Sequence, residues 1–244
     1  MTTQILSYGG GKQTMAMIIL VQRGLLPKPD YVIAADTGYE MPTTWQYADA
    51  YTRPILASMG MELHIASHDL ATVDIYGKNG DLLVPVYTET GKLPTYCSNE
   101  WKGRVVQRYA RTVLNVEGEI INWIGFSLEE RKRVKGQDGR RYPLLDLMLT
   151  SDDCEGIITS AGLPLPKKSR CKICPHQSNA EWREVRANPA LWAEAIALDV
   201  EVRENDERGG VFLHASRRPL ADADLDANDR NEPARQCGLG LCFV

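Results

Sequence analysis

Apolar residues come in short runs separated by polar, glycine-bearing turns. Residues 4–8 (Gln-Ile-Leu-Ser-Tyr) predict a short strand, and the turn Gly9-Gly10-Gly11 follows it. Residues 14–23 have helical length and no breaker, with Gly24 placed to end the helix. The run 31–36 is β-branched or small and predicts a second strand. Thr37-Gly38 then turns the chain, Pro42 stands where a helix begins, and the helix runs over 43–59. Residues 62–66 predict a third strand. Strand, helix, strand, helix, strand is the order that right-handed crossovers and a parallel sheet require.

The later chain is less regular. Residues 69–95 hold several Gly and Pro and predict a loop or small hairpin over the active face. A helix with basic positions is expected over 102–114, and a strand ending in a turn over 120–125. A short helix is expected over 152–161, capped by Ser151 or Asp152 and stopped by Gly162. A further helix is expected over 181–197, with Trp182 and Trp192 spaced for core packing. Residues 203–236 are rich in charge, Pro and Asn and are expected to wrap the surface, with local order around 211–214. The fold class that follows is α/β, a doubly wound parallel sheet of roughly five strands over 1–165. A small Cys-rich C-terminal appendage over 166–244 packs on it.

Composition narrows the function classes. The 244 residues are 43% apolar and 25% charged, enough for a real core. A net charge of -4 gives no global basic signature for nucleic acid, although a local basic patch is compatible with it. No apolar run approaches the roughly 18–20 residues that span a bilayer. The N-terminus has no basic segment backed by an apolar one, so a cytoplasmic protein is expected. Six cysteines in that setting point to metal ligands or reactive thiols rather than a disulfide framework.

The glycine turn carries the clearest chemistry. A strand, a glycine turn and a helix in succession make an anion site. Glycine lets backbone N–H groups approach a phosphate, and the helix N-terminus adds positive potential. Lys12 supplies a point charge and Thr14 a hydroxyl. The order Gly-Lys-Gln-Thr is not a Walker loop, nor is the spacing that of a dinucleotide fingerprint.

Ser7-Tyr8-Gly9-Gly10-Gly11-Lys12-Gln13-Thr14 resembles the PP-loop of the ATP-pyrophosphatase superfamily, Ser-Gly-Gly-x-Asp-Ser. It looks closest to the phosphoadenosine-phosphosulfate (PAPS) reductase-like branch. Gly9 takes the Ser position, Gly10-Gly11 match, Gln13 replaces Asp and Thr14 replaces Ser. Asp36-Thr37-Gly38-Tyr39-Glu40-Met41-Pro42 is similar to the family's Asp-Thr-Gly-x-x-x-Pro turn beside the adenosine. The segment from Cys97 to Lys102 resembles Cys-x-x-x-x-Lys. The turn after Gly125 resembles Gly-x-x-x-x-Glu-x-x-Arg, where Arg131, Lys132 and Arg133 lie, and Tyr142-Pro143-Leu144 resembles a structural Pro-Leu element. Lys168-Ser169-Arg170-Cys171-x-x-Cys174-Pro175 looks like the branch's Lys-Ser-x-Cys-x-x-Cys-Pro signature.

The resemblance implies a Rossmann-like, HUP-type fold that binds ATP and Mg²⁺. Ser7 to Thr14, Asp36, Thr37, Gly38 and Gly125 would hold the nucleotide. Lys12, Thr14, Asp36, Lys102 and Arg131 would act on it. The implied reaction splits ATP between the α- and β-phosphates and adenylylates an acceptor in sulfur transfer, such as DNA phosphorothioation or nucleic-acid thiolation. A sulfur donor such as a cysteine desulfurase, or DNA-modification proteins, would be the partners, with nucleic acid as a candidate acceptor and no membrane.

The cysteines have readings of their own. Cys171 and Cys174 have metal-ligand spacing. With Cys154, Cys237 and Cys242 they are candidates for a four-cysteine zinc site or an iron–sulfur cluster. One alternative is a sulfonucleotide (PAPS/APS) reductase using Cys237, whose Cys-Gly-Leu matches the reductase ending while Gln236 and Gly240 replace its Glu and His. Another is a non-catalytic nucleotide-binding subunit of a modification or defence complex. His64, His68 and His214 have no ligand spacing and are read as surface or strand-end histidines.

Overall fold

The computed structural model describes residues 2–134, 136, 139–206 and 210–227. The chain divides into two compact units, one of residues 2–72 and 98–170, the other of residues 73–97 and 171–227.

The first unit is built on a five-stranded sheet of β1 (Thr2–Ser7), β2 (Tyr31–Ala35), β3 (Leu63–Ala66), β4 (Glu119–Trp123) and β5 (Arg140–Arg141). The order is β3-β2-β1-β4-β5 and every pairing is parallel, so the fold is α/β and Rossmann-like. Its helices are α1 (Lys12–Gln22), α2 (Pro42–Tyr47), α3 (Arg53–Ser58), α4 (Arg104–Thr112), α5 (Pro143–Asp146) and α6 (Ser151–Ser160). Leu6 and Trp123 share one apolar cluster with Ala16, Leu56 and Cys154, while Ile5 and Ile33 share another with Val105, Val106 and Ala110. Alternation along β1 thus supplies both faces, and each face is covered by helices. Trp123 is fully buried, and its indole N–H is satisfied by donating to Gln4 Oε1 at 2.6 Å.

Several boundaries differ from the sequence expectation for identifiable reasons. The helix expected over 43–59 contains a π-helical turn, Ala48–Thr52, between α2 and α3. Pro54 has no N–H for the α pattern and its ring crowds the preceding turn, which the wider turn accommodates. The helix expected from 102 begins earlier, with a π-helical turn at Ser98–Gly103. The cap of α6 is Thr150, not Ser151 or Asp152. Thr150 Oγ1 accepts from Asp153 N–H at 3.1 Å, and Asp153 Oδ2 accepts from Thr150 N–H at 2.8 Å.

In the second unit the helix expected over 181–197 is two helices, α7 (Asn179–Arg186) and α8 (Pro189–Asn205). Pro189 keeps Asn188 out of the helical region, at φ -109° and ψ 108°. Asn188 Oδ1 then caps α8, accepting from Ala190 N–H at 3.1 Å. Trp182 and Trp192 do pack edge to face, with centroids 6.5 Å apart. His214 is a buried, satisfied histidine, bonded to Asn179 Oδ1 at 2.9 Å and Ser216 Oγ at 2.8 Å. No helix among the described residues is long and apolar enough to cross a membrane.

Candidate functional site

In the first unit the chain reverses its order across the sheet between β1 and β4, and the C-terminal edge at such a point opens a crevice. Gly9-Gly10-Gly11 leaves β1 there and enters α1. Met15 N–H donates to Gly11 C=O at 3.1 Å, so the N–H groups of Lys12, Gln13 and Thr14 form the first turn, which has no intrahelical acceptors. Gly11 is the N-cap and gives no side-chain cap, and the first turn holds no acid. By contrast, α6, α7 and α8 each have a side-chain cap. The partial positive charge of α1, like that of α2 to α5, is thus not offset by a side-chain cap.

Two glycines make the loop geometry. Gly10 has φ +71°, and a Cβ there would lie 2.3 Å from Thr44 Cγ2. Gly125, just past β4, would bring a Cβ within 3.2 Å of Gln13 Cβ and Met17 Cε. The turn after β4 thus lies directly on the start of α1, where a side chain would be crowded.

Two cavities flank Gly9. The first has a volume of about 370 Å³ and is lined by Ser7, Gly11, Gln13, Thr14, Gly125 and Glu130 among others. The second has about 350 Å³ and is lined by Tyr8, Gly10, Glu40, Thr44, Trp45 and Lys102 among others.

The site residues read from sequence fall into distinct positions. Ser7 and Thr14 are buried beside the first cavity, and the Thr14 hydroxyl donates to Gly11 C=O at 3.0 Å. Tyr8 turns inward, and its phenol meets Thr52 Oγ1 at 2.8 Å while burial pushes its pKa up to about 12. Lys12 pairs with Glu155 of α6 at 2.5 Å. That pair is partly exposed and therefore screened by solvent, so it contributes on the order of 1 kcal/mol. Asp36 Oδ1 accepts from Gly38 N–H at 2.9 Å, closing a turn in which Thr37 is fully buried. Lys102 lines the second cavity. Arg131 and Lys132 are exposed, whereas Arg133 pairs with Glu130 and lies over the Phe126 ring. His64 packs between Tyr31 and Tyr109, and His68 against Trp101.

Sequence reasoning missed Glu40, Thr44, Trp45, Glu130 and Ser169 as site residues. Glu40 and Ser169 stood inside quoted motifs, but neither spacing nor residue type revealed that they meet. Ser169 Oγ donates to Glu40 Oε1, and Lys102 Nζ lies 3.7 Å from Glu40 Oε2.

The cysteines separate. Cys154 is fully buried in the apolar cluster with Leu6 and Leu144, and burial pushes its thiol up to about 12. Cys171 and Cys174 lie in the second unit, where Cys174 N–H donates to Cys171 C=O at 3.1 Å. Near them Lys92 Nζ meets His176 Nδ1, and His176 Nε2 lies 3.2 Å from Thr95 Oγ1. Burial draws the Lys92 pKa down to about 8, against the opposing pull of the Cys174 thiolate. Cys237 and Cys242 lie outside the described residues. Among the described residues, which hold three of the five candidate cysteines, no group of three or more His, Cys, Asp or Glu is arranged to hold a metal. No protein-family model matches the chain, and neither does any curated protein.

Proposed function

We propose that the chain is a PP-loop ATP pyrophosphatase of the PAPS reductase-like kind, with a HUP-type nucleotide fold and a Cys-rich C-terminal part. In this reading it binds ATP–Mg²⁺ as substrate and adenylylates an acceptor in sulfur transfer, with DNA phosphorothioation or nucleic-acid thiolation as the context. The observation that carries the reading is the uncapped N-terminus of α1, held under the Gly125 turn at the switch point of a parallel sheet.

The roles follow from the geometry. Backbone N–H groups of the first turn of α1 bind phosphate oxygens, and the Thr14 hydroxyl adds a donor by turning from Gly11 C=O. Lys12 leaves Glu155 to neutralise the pyrophosphate as it departs, which favours the transition state over the bound substrate. The second cavity takes the remainder of the nucleotide, with Lys102 at its wall. Gln13 brings no carboxylate to the loop, so phosphate binding rests on backbone and cationic donors.

The test is pyrophosphate release from ATP. A Lys12→Ala, Thr14→Ala double variant should release it at least about a hundredfold more slowly than the parent. Release at the parent's rate would overturn the assignment. For a zinc or iron–sulfur centre, we propose Cys171 and Cys174 as ligands and place Cys154 outside the set. Metal analysis should find metal in the parent and in Cys154→Ala, but not in Cys171→Ser.

A further inference from the structure

Glu40 stands out as a buried carboxylate in the wall of a cavity. Its side chain is 4% exposed, and that of Lys102 is 14% exposed. Such a carboxylate needs partners in place of water. Its Oε1 accepts from Ser169 Oγ, and its Oε2 faces Lys102 Nζ at 3.7 Å. Ser169 in turn lies against the phosphate loop, because a Cβ on Gly10 would come within 3.6 Å of both Ser169 Cβ and Ser169 Oγ. One carboxylate therefore links three stretches far apart in sequence: the turn after β2, the π-helical turn before α4, and the segment at residue 169.

We propose that Glu40 is a positioning residue that fixes Lys102 and Ser169 around Gly9-Gly10, so that the ammonium group faces an anionic ligand in the second cavity. The inference rests on the nucleotide reading given above. A lysine side chain is a flexible stem ending in a compact charge, and it samples many rotamers unless something fixes it. The Glu40–Lys102 pair has no net charge, so it contributes directed N–H donors rather than bulk positive potential. This determines the sign of the test. If Glu40 only neutralised Lys102, removing its charge would tighten anion binding. If Glu40 positions Lys102, removing its charge loosens binding.

The experiment is calorimetric titration of the full chain with Mg–ATP and, separately, with inorganic pyrophosphate. The proteins are the parent, Glu40→Gln, Lys102→Ala and the double variant. Glu40→Gln should bind ATP about tenfold more weakly, and the double variant no more weakly than Lys102→Ala alone, because contacting residues that act as one unit are not additive. Glu40→Asp, which keeps the charge, should recover part of the loss. Additive losses in the double variant, or Glu40→Gln binding as tightly as the parent, would overturn the proposal. Should Glu40→Gln fail to fold, Ser169→Ala decides instead. Its loss of about threefold should vanish in the Lys102→Ala background, and a loss that persists counts against Glu40. A parent that binds neither ATP nor pyrophosphate removes the nucleotide reading together with this inference, whereas a binding parent with an additive cycle removes only the inference.

Discussion

At Gly10, backbone conformation and space make the same demand. Its φ of +71° strains any side-chain-bearing residue, and Thr44 fills the place where a Cβ would go. Gly10→Ala should therefore cost at least about 1–3 kcal/mol of stability and loosen the loop, as a lowered denaturant midpoint and weaker pyrophosphate binding would reveal. Cys154 makes a different prediction. An ordinary thiol near 9 is pushed by burial to about 12, so the folded chain keeps a proton that the unfolded chain releases above pH 9. The stability that goes with it is complete below pH 9 and is lost as pH rises toward 12. Against Cys154→Ala, the parent's advantage in denaturant midpoint should shrink steadily from pH 9 to pH 11. An advantage that stays constant would contradict this account.

Among the elements, the three major helices that follow β5 announce their starts through side chains: Thr150 for α6, Ser178 for α7 and Asn188 for α8. Asn188→Ala should cost about 1 kcal/mol and melt α8 first, which far-ultraviolet circular dichroism can follow. The strands β1 to β4, α1 and the glycine loop were legible in the sequence because runs of apolar residues and a missing Cβ act locally. The break at Pro189 and the π-helical turn before Pro54 were equally local signals, but the apolar periodicity masked them. The meeting of Glu40, Lys102 and Ser169 was not legible, since only the folded sheet edge brings residues so distant in sequence together. Nor was β5, whose two arginines carry no strand pattern; they pair with β4 through backbone groups, and Arg141 also lies over the Trp123 ring.

For the whole molecule, the division into two units is not a division into two chain segments. Residues 73–97 leave the first unit to join 171–227 in the second, where Leu82, Leu83, Val84 and Val86 are buried. A chain ended at residue 170 keeps all five strands but strips those apolar residues of the rest of their unit. It should elute as aggregates in gel filtration, while the full chain elutes as a defined species.

The contact of Ser169 with Gly10 also sets an order in time. The ribosome makes the glycine loop well before the residue that lies against it, which arrives roughly 160 residues later, about 8–30 s at ordinary rates of synthesis. For about the first two-thirds of that interval β1 lacks β4 and the loop lacks the Gly125 turn, and Ser169 is missing throughout it. The loop is completed long after it is made, so a nascent chain lacks the finished form of the proposed phosphate site until it has been extended past residue 170.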